Sequence, residues 1–228
     1  MIKINGFTLV ELLVVIGVLG FLGGIILMVF TNSLRGSNKS QILSVIKQNG
    51  QSVLETMDKT IRNSDRVVCP YFSSPTSTST FLNTLVTVNR GTYTRYRFIP
   101  PFNTDQNQGI CPTSNGCIFQ DNPILPSSPP SGANPNLYIR DFENTVCNTS
   151  LVSPQVITDA NLQTGVSIYC IANDCSTNPS DSVFTRNRSF GYKDKVTIRF
   201  WVKPGEGAPP AISGQIDPVV FQTTLELR

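Results

Sequence analysis

The chain has 228 residues, of which 39% are hydrophobic and 14% charged, and its net charge is +3. That length supports a globular domain with a real core, and so slight a positive excess gives no electrostatic case for nucleic acid as a partner. Histidine is absent, which removes His-based triads, His-ligated zinc and the commonest general acid–base residue.

The first element opens with Gly6-Phe-Thr-Leu-Val-Glu11 and continues as an apolar run without charge from Leu12 to Phe30. A helix that crosses a membrane needs about 20 residues to span roughly 30 Å of hydrocarbon. Leu12 to Phe30, extended by Phe7 to Val10, meets that length. Glu11 is the anomaly, because a carboxylate near a bilayer centre costs about 2.5–3.5 kcal/mol, less near the boundary. Cleavage after Gly6 supplies a reason for it. The freed amine of Phe7 is a cation one helical turn away, at the helix end whose dipole also favours an acid. An ordinary secretory signal carries its small-residue site after the apolar core, not before it. A plain membrane anchor gives Glu11 no role. Lys3 on one side and Arg35, Lys39 and Lys47 on the other leave the orientation undecided by charge.

These residues, Gly6 to Glu11 and the apolar run behind them, closely resemble the leader and first helix of type IV pilins and pseudopilins. The resemblance implies that a prepilin peptidase cuts between Gly6 and Phe7 and that the Phe7 amine is then methylated, keeping its charge. It implies further that Glu11 meets the Phe7 amine of a neighbouring subunit, and that the N-terminus faces the cytoplasm. Residues 1–6 are then a leader and 7–30 a single-pass transmembrane segment. Removing Lys3 with the leader takes the net charge from +3 to +2 (3 − 1). Many major pilins break this helix with a proline; here there is none, which leans toward a minor subunit.

From Ser33 to about Arg66 the apolar spacing stays helical, with Ile42, Ile46, Val53, Met57 and Ile61 on one stripe widened by Leu43 and Leu54. Lys39, Lys47, Glu55, Lys59 and Arg62 fall mostly elsewhere. Residues 31–66 are therefore expected to prolong the membrane helix as an amphipathic helix packed on a globular domain. Gly20, Gly23, Gly24, Gly36 and Gly50 read as weak points in that rod, each costing about 1 kcal/mol relative to alanine.

Residues 67–228 read as an exported, β-rich domain. Leu85 to Asn89 and Thr92 to Ile99 are strand-like runs flanking Asn89-Arg90-Gly91, a hairpin signal. Further strands are expected at Asn136 to Phe142, Val166 to Ile171, Lys195 to Lys203 and Val219 to Leu227. Between Lys195 and Lys203, Val196, Ile198, Phe200 and Val202 alternate with Lys195, Thr197, Arg199 and Trp201, giving one buried and one mostly polar face. Asn103 to Gly116, Asn122 to Pro135 and Pro204 to Pro218 read as irregular loops. All six cysteines lie beyond the membrane segment: Cys69, Cys111, Cys117, Cys147, Cys170 and Cys175. An even number in an exported region reads as disulfides. The expected pairs are Cys111–Cys117 and Cys170–Cys175 as short bridges and Cys69–Cys147 as a long clasp. A zinc ribbon is the rival, but its Cys-x2-Cys spacing is missing. No metal and no cofactor are expected.

The order of elements is similar to a minor branch of the superfamily, the pseudopilin J and pilin W type. The similar stretches are Leu54-Glu-Thr-Met-Asp-Lys-Thr-Ile-Arg-Asn63, Thr94-Arg-Tyr-Arg-Phe98, Leu137-Tyr-Ile-Arg140, Val166-Ser-Ile-Tyr169 and Thr223-Thr-Leu-Glu-Leu-Arg228. The fold expectation is α+β: a long N-terminal helix, half membrane-spanning and half amphipathic, on an antiparallel sheet domain with disulfide-bridged loops. The functional expectation is a non-enzymatic minor pilin or pseudopilin that primes or caps a type IV pilus or a type II secretion pseudopilus. Its partners are then the membrane, the peptidase and other pilin subunits. Two alternatives stand beside it. A tip adhesin or DNA-uptake subunit draws support from Tyr93-Thr-Arg-Tyr-Arg-Phe98, whose aromatics and cations suit single strands. A membrane-anchored enzyme or binding protein with a pilin-like leader is the other.

Overall fold

The computed structural model describes residues 8–72, 79–102, 110–125, 134–170, 182–188, 193–214 and 216–227. The chain divides into two compact units, Met1–Gln41 and Ile42–Arg228. The helix α1 (Leu9–Arg62) contributes residues to each. In the first unit the apolar side chains of α1 are exposed on all sides; Leu9, Phe21 and Met28 are 76%, 71% and 69% exposed. A helix that is apolar all round suits hydrocarbon and not water. It is long and apolar enough to cross a membrane.

In the second unit α1 is amphipathic. Ile46, Gly50, Val53, Met57 and Ile61 are its buried residues, and Ile42, Leu43 and Leu54 pack partly against the same core. This is the stripe expected from the spacing. The helix ends at Arg62, a turn before the expected limit near Arg66.

The rest of this unit runs β1 (Arg66–Cys69), β2 (Ser79–Leu82), β3 (Thr84–Asn89), β4 (Thr92–Ile99), β5 (Cys117–Asp121), α2 (Pro135–Val146), β6 (Gln155–Val156), β7 (Val166–Tyr169), β8 (Phe184–Asn187), β9 (Lys195–Pro204), α3 (Pro210–Ser213) and β10 (Val219–Glu226). Among the described residues two antiparallel sheets form, in the orders β1-β3-β4-β5-β6 and β10-β9-β8-β2. β7 shares one side of β9 with β8, pairing with its C-terminal half while β8 takes the N-terminal half. The hairpin between β3 and β4 turns at Arg90 and Gly91, whose φ values of 49° and 82° are both positive. That is the backbone a tight two-residue hairpin requires, and glycine adopts it without strain.

The main core joins α1 to both sheets, with Leu85, Tyr96, Phe98 and Ile118 from one and Ile168, Phe184, Val196, Ile198, Phe200 and Val202 from the other. A second core lies on the opposite face of the first sheet, where Val86, Val88 and Tyr93 meet Val146, Cys147 and the partly buried Phe142. β3 and β4 are thus buried on both faces, which explains why all of their residues but Asn89, Thr92 and Thr94 are buried.

The strand expected at Asn136 to Phe142 is a helix. Its β-rich composition favours a strand, but Ile139, Phe142 and Val146 recur at helical spacing, and Pro135 occupies the first helical turn, where its missing N–H costs nothing. The face so formed covers the first sheet, and the Phe142 ring sits edge-on to Tyr93 at 5.0 Å. Pro135, assigned to a loop, therefore opens α2, and Pro210–Ser213 forms one helical turn inside the expected loop Pro204 to Pro218. β1, β2, β5, β6 and β8 had no distinct sequence signal.

Among the described residues, two disulfides hold these layers. Cys69–Cys147 joins β1 to the residue after α2, with Cα atoms 6.0 Å apart, and Cys111–Cys117 closes the loop before β5 at 6.4 Å. Both were the expected pairs. Because 78 residues separate Cys69 from Cys147, the chain-entropy argument gives that bridge about 4–5 kcal/mol. The expected Cys170–Cys175 pair includes Cys175, which lies outside the described residues.

Candidate functional site

The residues singled out by the sequence lie in two places. The first is the start of α1. Gly6 and Phe7 lie outside the described residues. Thr8 immediately precedes the helix, and its carbonyl accepts the N–H groups of Glu11 at 3.1 Å and Leu12 at 3.2 Å. Its side-chain Oγ1 also accepts the Glu11 N–H, at 3.3 Å. Thr8 is therefore the N-cap and Glu11 the third helical residue, the spacing of a Thr-x-x-Glu capping box. Sequence reasoning fixed on the charge of Glu11 and missed this local role, although Thr8-Leu-Val-Glu11 carries the signal in plain view. Among the described residues no cation pairs with Glu11. Its carboxylate sits in the first turn, at the positive end of the helix dipole, surrounded by exposed Leu9, Val10, Leu12 and Leu13. An acid so placed can accept a cation brought by another chain end or another molecule.

The second place is β4. Its alternation puts Tyr93, Arg95 and Arg97 on the face toward α2, and Tyr96 and Phe98 on the face toward α1. Neither arginine reaches solvent: Arg95 is 0% and Arg97 5% exposed. The guanidinium of Arg95 donates to Asp121 Oδ1 at 2.8 Å and also to Asp121 Oδ2, forming a fully buried ion pair. It further donates to the carbonyls of Val146, Thr149 and Ser150. Arg97 donates to the Cys147 carbonyl at 2.8 Å and to Thr84 Oγ1 at 3.2 Å. Both cations thus gather carbonyls at the C-terminal end of α2, where a helix presents partial negative charge. Burial, and then the neighbouring charge of Arg95, push the Arg97 guanidinium down to about 10, against the opposing pull of Asp121. Tyr96 Oη lies 2.7 Å from Thr60 Oγ1 on α1. The run that suggested single-strand stacking is therefore a core strand with no free platform.

Beside it, Arg66 grips both oxygens of Glu143, and Tyr93 donates to Glu143 Oε1 at 2.9 Å. Burial raises the Glu143 carboxyl, but the donors from Arg66 and Tyr93 outweigh it and hold the group below its ordinary 4.5. Burial first, then the Glu143 carboxylate, push the Tyr93 phenol up to about 12. This cluster docks α2 on the sheet.

An open polar groove of about 480 Å³ lies between the end of α1 and the β3–β4 hairpin, with Lys59, Asn63, Asn89, Arg90 and threonines in its wall. Those residues bring the Lys59 amine and threonine hydroxyls together with no carboxylate beside them. Among the described residues, no group of three or more His, Cys, Asp or Glu side chains converges as a metal site would need. No family model matches the chain, and neither a curated protein nor a solved structure matches it.

Proposed function

We propose that this protein is a minor pilin or pseudopilin: a non-enzymatic subunit that primes or caps a type IV pilus or a type II secretion pseudopilus. The observation that carries this reading is Glu11, an acid without a partner among the described residues, in the first turn of a helix whose apolar side chains from Leu9 to Phe30 are exposed all round. Placed in a bilayer, that acid needs a cation, because leaving it unpaired costs on the order of 2.5–3.5 kcal/mol near the centre. In this reading the cation is the methylated amine of Phe7 on a neighbouring subunit, freed when a prepilin peptidase cuts after Gly6. The protein is then held in the cytoplasmic membrane by one span, with the β-rich unit on the far side, until it joins the filament.

The capping geometry supplies a rival role for Glu11, and the two separate cleanly. A capping box accepts glutamine as well as glutamate, whereas pairing with an ammonium needs the charge. The decisive experiment expresses Glu11→Gln, Glu11→Asp and Glu11→Ala in the native host and follows N-terminal processing and recovery in sheared filaments. We expect all three to be cut after Gly6, with Glu11→Gln and Glu11→Ala missing from the filament and Glu11→Asp intermediate. Full incorporation of Glu11→Gln would reduce Glu11 to a helix cap. Retention of residues 1–6 on the cellular protein would remove the whole reading.

A further inference from the structure

Arg199 is a half-buried cation without an answering acceptor. Along β9 the buried Ile198, Phe200 and Val202 point to the core, so Arg199, Trp201 and Lys203 lie on the outer face of the second sheet. The Arg199 guanidinium sits over the Trp201 ring at 4.7 Å, and the Lys203 ammonium over the Tyr169 ring at 4.4 Å. Both cations are half-buried, yet among the described residues neither forms an ion pair. Arg199 Nε is moreover shielded from solvent with no hydrogen-bond partner. The other described arginines that are buried or half-buried do find acceptors: Arg95 has Asp121, Arg97 the Cys147 carbonyl and Arg186 Asp194. A charged donor withdrawn from water and left unmet is costly, so this guanidinium marks a place where an acceptor arrives from outside.

The surroundings state the chemistry of that acceptor. A guanidinium presents a flat fork that matches the two oxygens of a carboxylate. Beside it Tyr169, Trp201 and Val220 form one cross-strand row, with Val220 49% exposed, so an apolar side chain fits next to the charges. Arg199 and Lys203 flank that row, about 13 Å apart along the strand. Each aromatic ring already has a cation over one face, which leaves a nucleic-acid base less to stack on, and two cations are few for a phosphate backbone. The nearby acids are engaged at the margins: Glu206 accepts the Tyr169 hydroxyl, and Glu226 stands opposite Lys195 at the far end of β9. We infer that this face binds an extended acidic segment of another protein, whose carboxylates at positions i and i+4 meet Arg199 and Lys203 while an apolar side chain at i+2 packs on Trp201 and Val220. All three side chains fall on one side of an extended segment, at the same rise per residue as β9. Arginine and tryptophan are also the residues that dominate protein interfaces energetically. Glu11 has no part in this contact, so it does not rest on the filament reading.

The test uses the full chain in neutral detergent micelles at low salt, with Trp201, the sole tryptophan, as the reporter inside the site. The probe is the peptide acetyl-Glu-Thr-Leu-Thr-Glu-amide, and its counterpart carries Gln in place of both Glu residues. We expect the acidic peptide to give a saturable shift in Trp201 fluorescence and the Gln peptide to bind at least about tenfold more weakly. Arg199→Met keeps an apolar stem on the indole but removes the fork, and should weaken the acidic peptide by about tenfold. Lys203→Met should weaken it by roughly threefold, and Lys47→Met, which removes one exposed charge from α1, should leave it unchanged. The comparison of the two peptides needs no variant, so it decides the matter even if Arg199→Met unfolds. No saturable shift, equal binding of the two peptides, or an Arg199→Met protein that is folded by thermal unfolding and binds like the unaltered chain each overturns the inference. Tighter binding of inorganic phosphate or of a thymidine octanucleotide than of the acidic peptide overturns it as well, by assigning the face to phosphate.

Discussion

Gly50 gives the sharpest test of how the second unit is packed. By helix propensity alone, Gly50→Ala should stabilise α1 by about 1 kcal/mol. The fold says the opposite. Gly50 is buried, and a Cβ there falls under 3.0 Å from three ring carbons of Phe221, inside any allowed contact. The Phe221 ring cannot slip aside freely, because it is stacked on Phe200 at 5.7 Å with an interplanar angle of 17°. Overpacking of this kind costs about 1–3 kcal/mol, and loss of the ring stack adds about 0.5–1.5 kcal/mol. Set against the propensity gain, the expected net loss is about 0.5–3.5 kcal/mol. For a unit of this size that lowers Tm by roughly 1–14 °C. Thermal unfolding followed by the fluorescence of Trp201, the sole tryptophan, reads the change. Phe221→Leu in the same chain should recover much of the loss, with a coupling of at least about 1 kcal/mol in a double-mutant cycle. A rise in Tm for Gly50→Ala would refute the argument, because it would mean that propensity and not the Phe221 contact decides this site.

Two further outcomes follow from the buried polar groups. Arg95→Met strands the Asp121 carboxylate, which would keep only the Val152 N–H at 2.8 Å among the donors described; it also takes a donor from the carbonyls of Thr149 and Ser150 and leaves that of Val146 the Thr149 hydroxyl at 3.3 Å. The expected cost is about 3–5 kcal/mol by denaturant unfolding, largely recovered in Arg95→Met/Asp121→Leu, and a loss below about 1 kcal/mol contradicts the buried pair. The phenols of Tyr93 and Tyr169 are both pushed up to about 12, chiefly by burial and then by Glu143 and Glu206. An unfolded phenol ionises near its ordinary 10 while these stay protonated, so between pH 10 and 12 the folded state holds more protons and stability falls as pH rises. Burial raises the Tyr96 phenol as well, so phenolate absorbance should show three of the six tyrosines titrating late, and Glu143→Gln should bring the Tyr93 step down; six equal titrations would rule this out.

Much of the architecture was legible in the chain itself. The apolar run to Phe30 and the stripe through Ile46, Val53, Met57 and Ile61 specify α1 because a helical period repeats locally. The β3–β4 hairpin was readable because Asn89-Arg90-Gly91 supplies the positive φ its turn requires. β9 and β10 showed themselves by strict alternation, and loop lengths favoured the Cys69–Cys147 and Cys111–Cys117 pairs. Of the candidate site, the charge of Glu11 was visible, but the Thr8 cap beneath it was overlooked.

What the sequence determined by itself was therefore whatever rests on neighbours along the chain: periodicity, turn residues, and an acid placed where a long apolar helix begins. Tertiary structure alone decided that 135–146 is a helix, that Arg95 and Arg97 are interior cations, and that Gly50 is a packing necessity instead of a weak point. Each of those depends on a partner distant in sequence: the first sheet under α2, Asp121 and the end of α2 around the arginines, and Phe221 against α1. Local propensities amount to tenths of a kcal/mol up to about one, whereas burying a face, pairing a charge or removing a clash is worth several times more, so the long-range contact prevails where the two disagree.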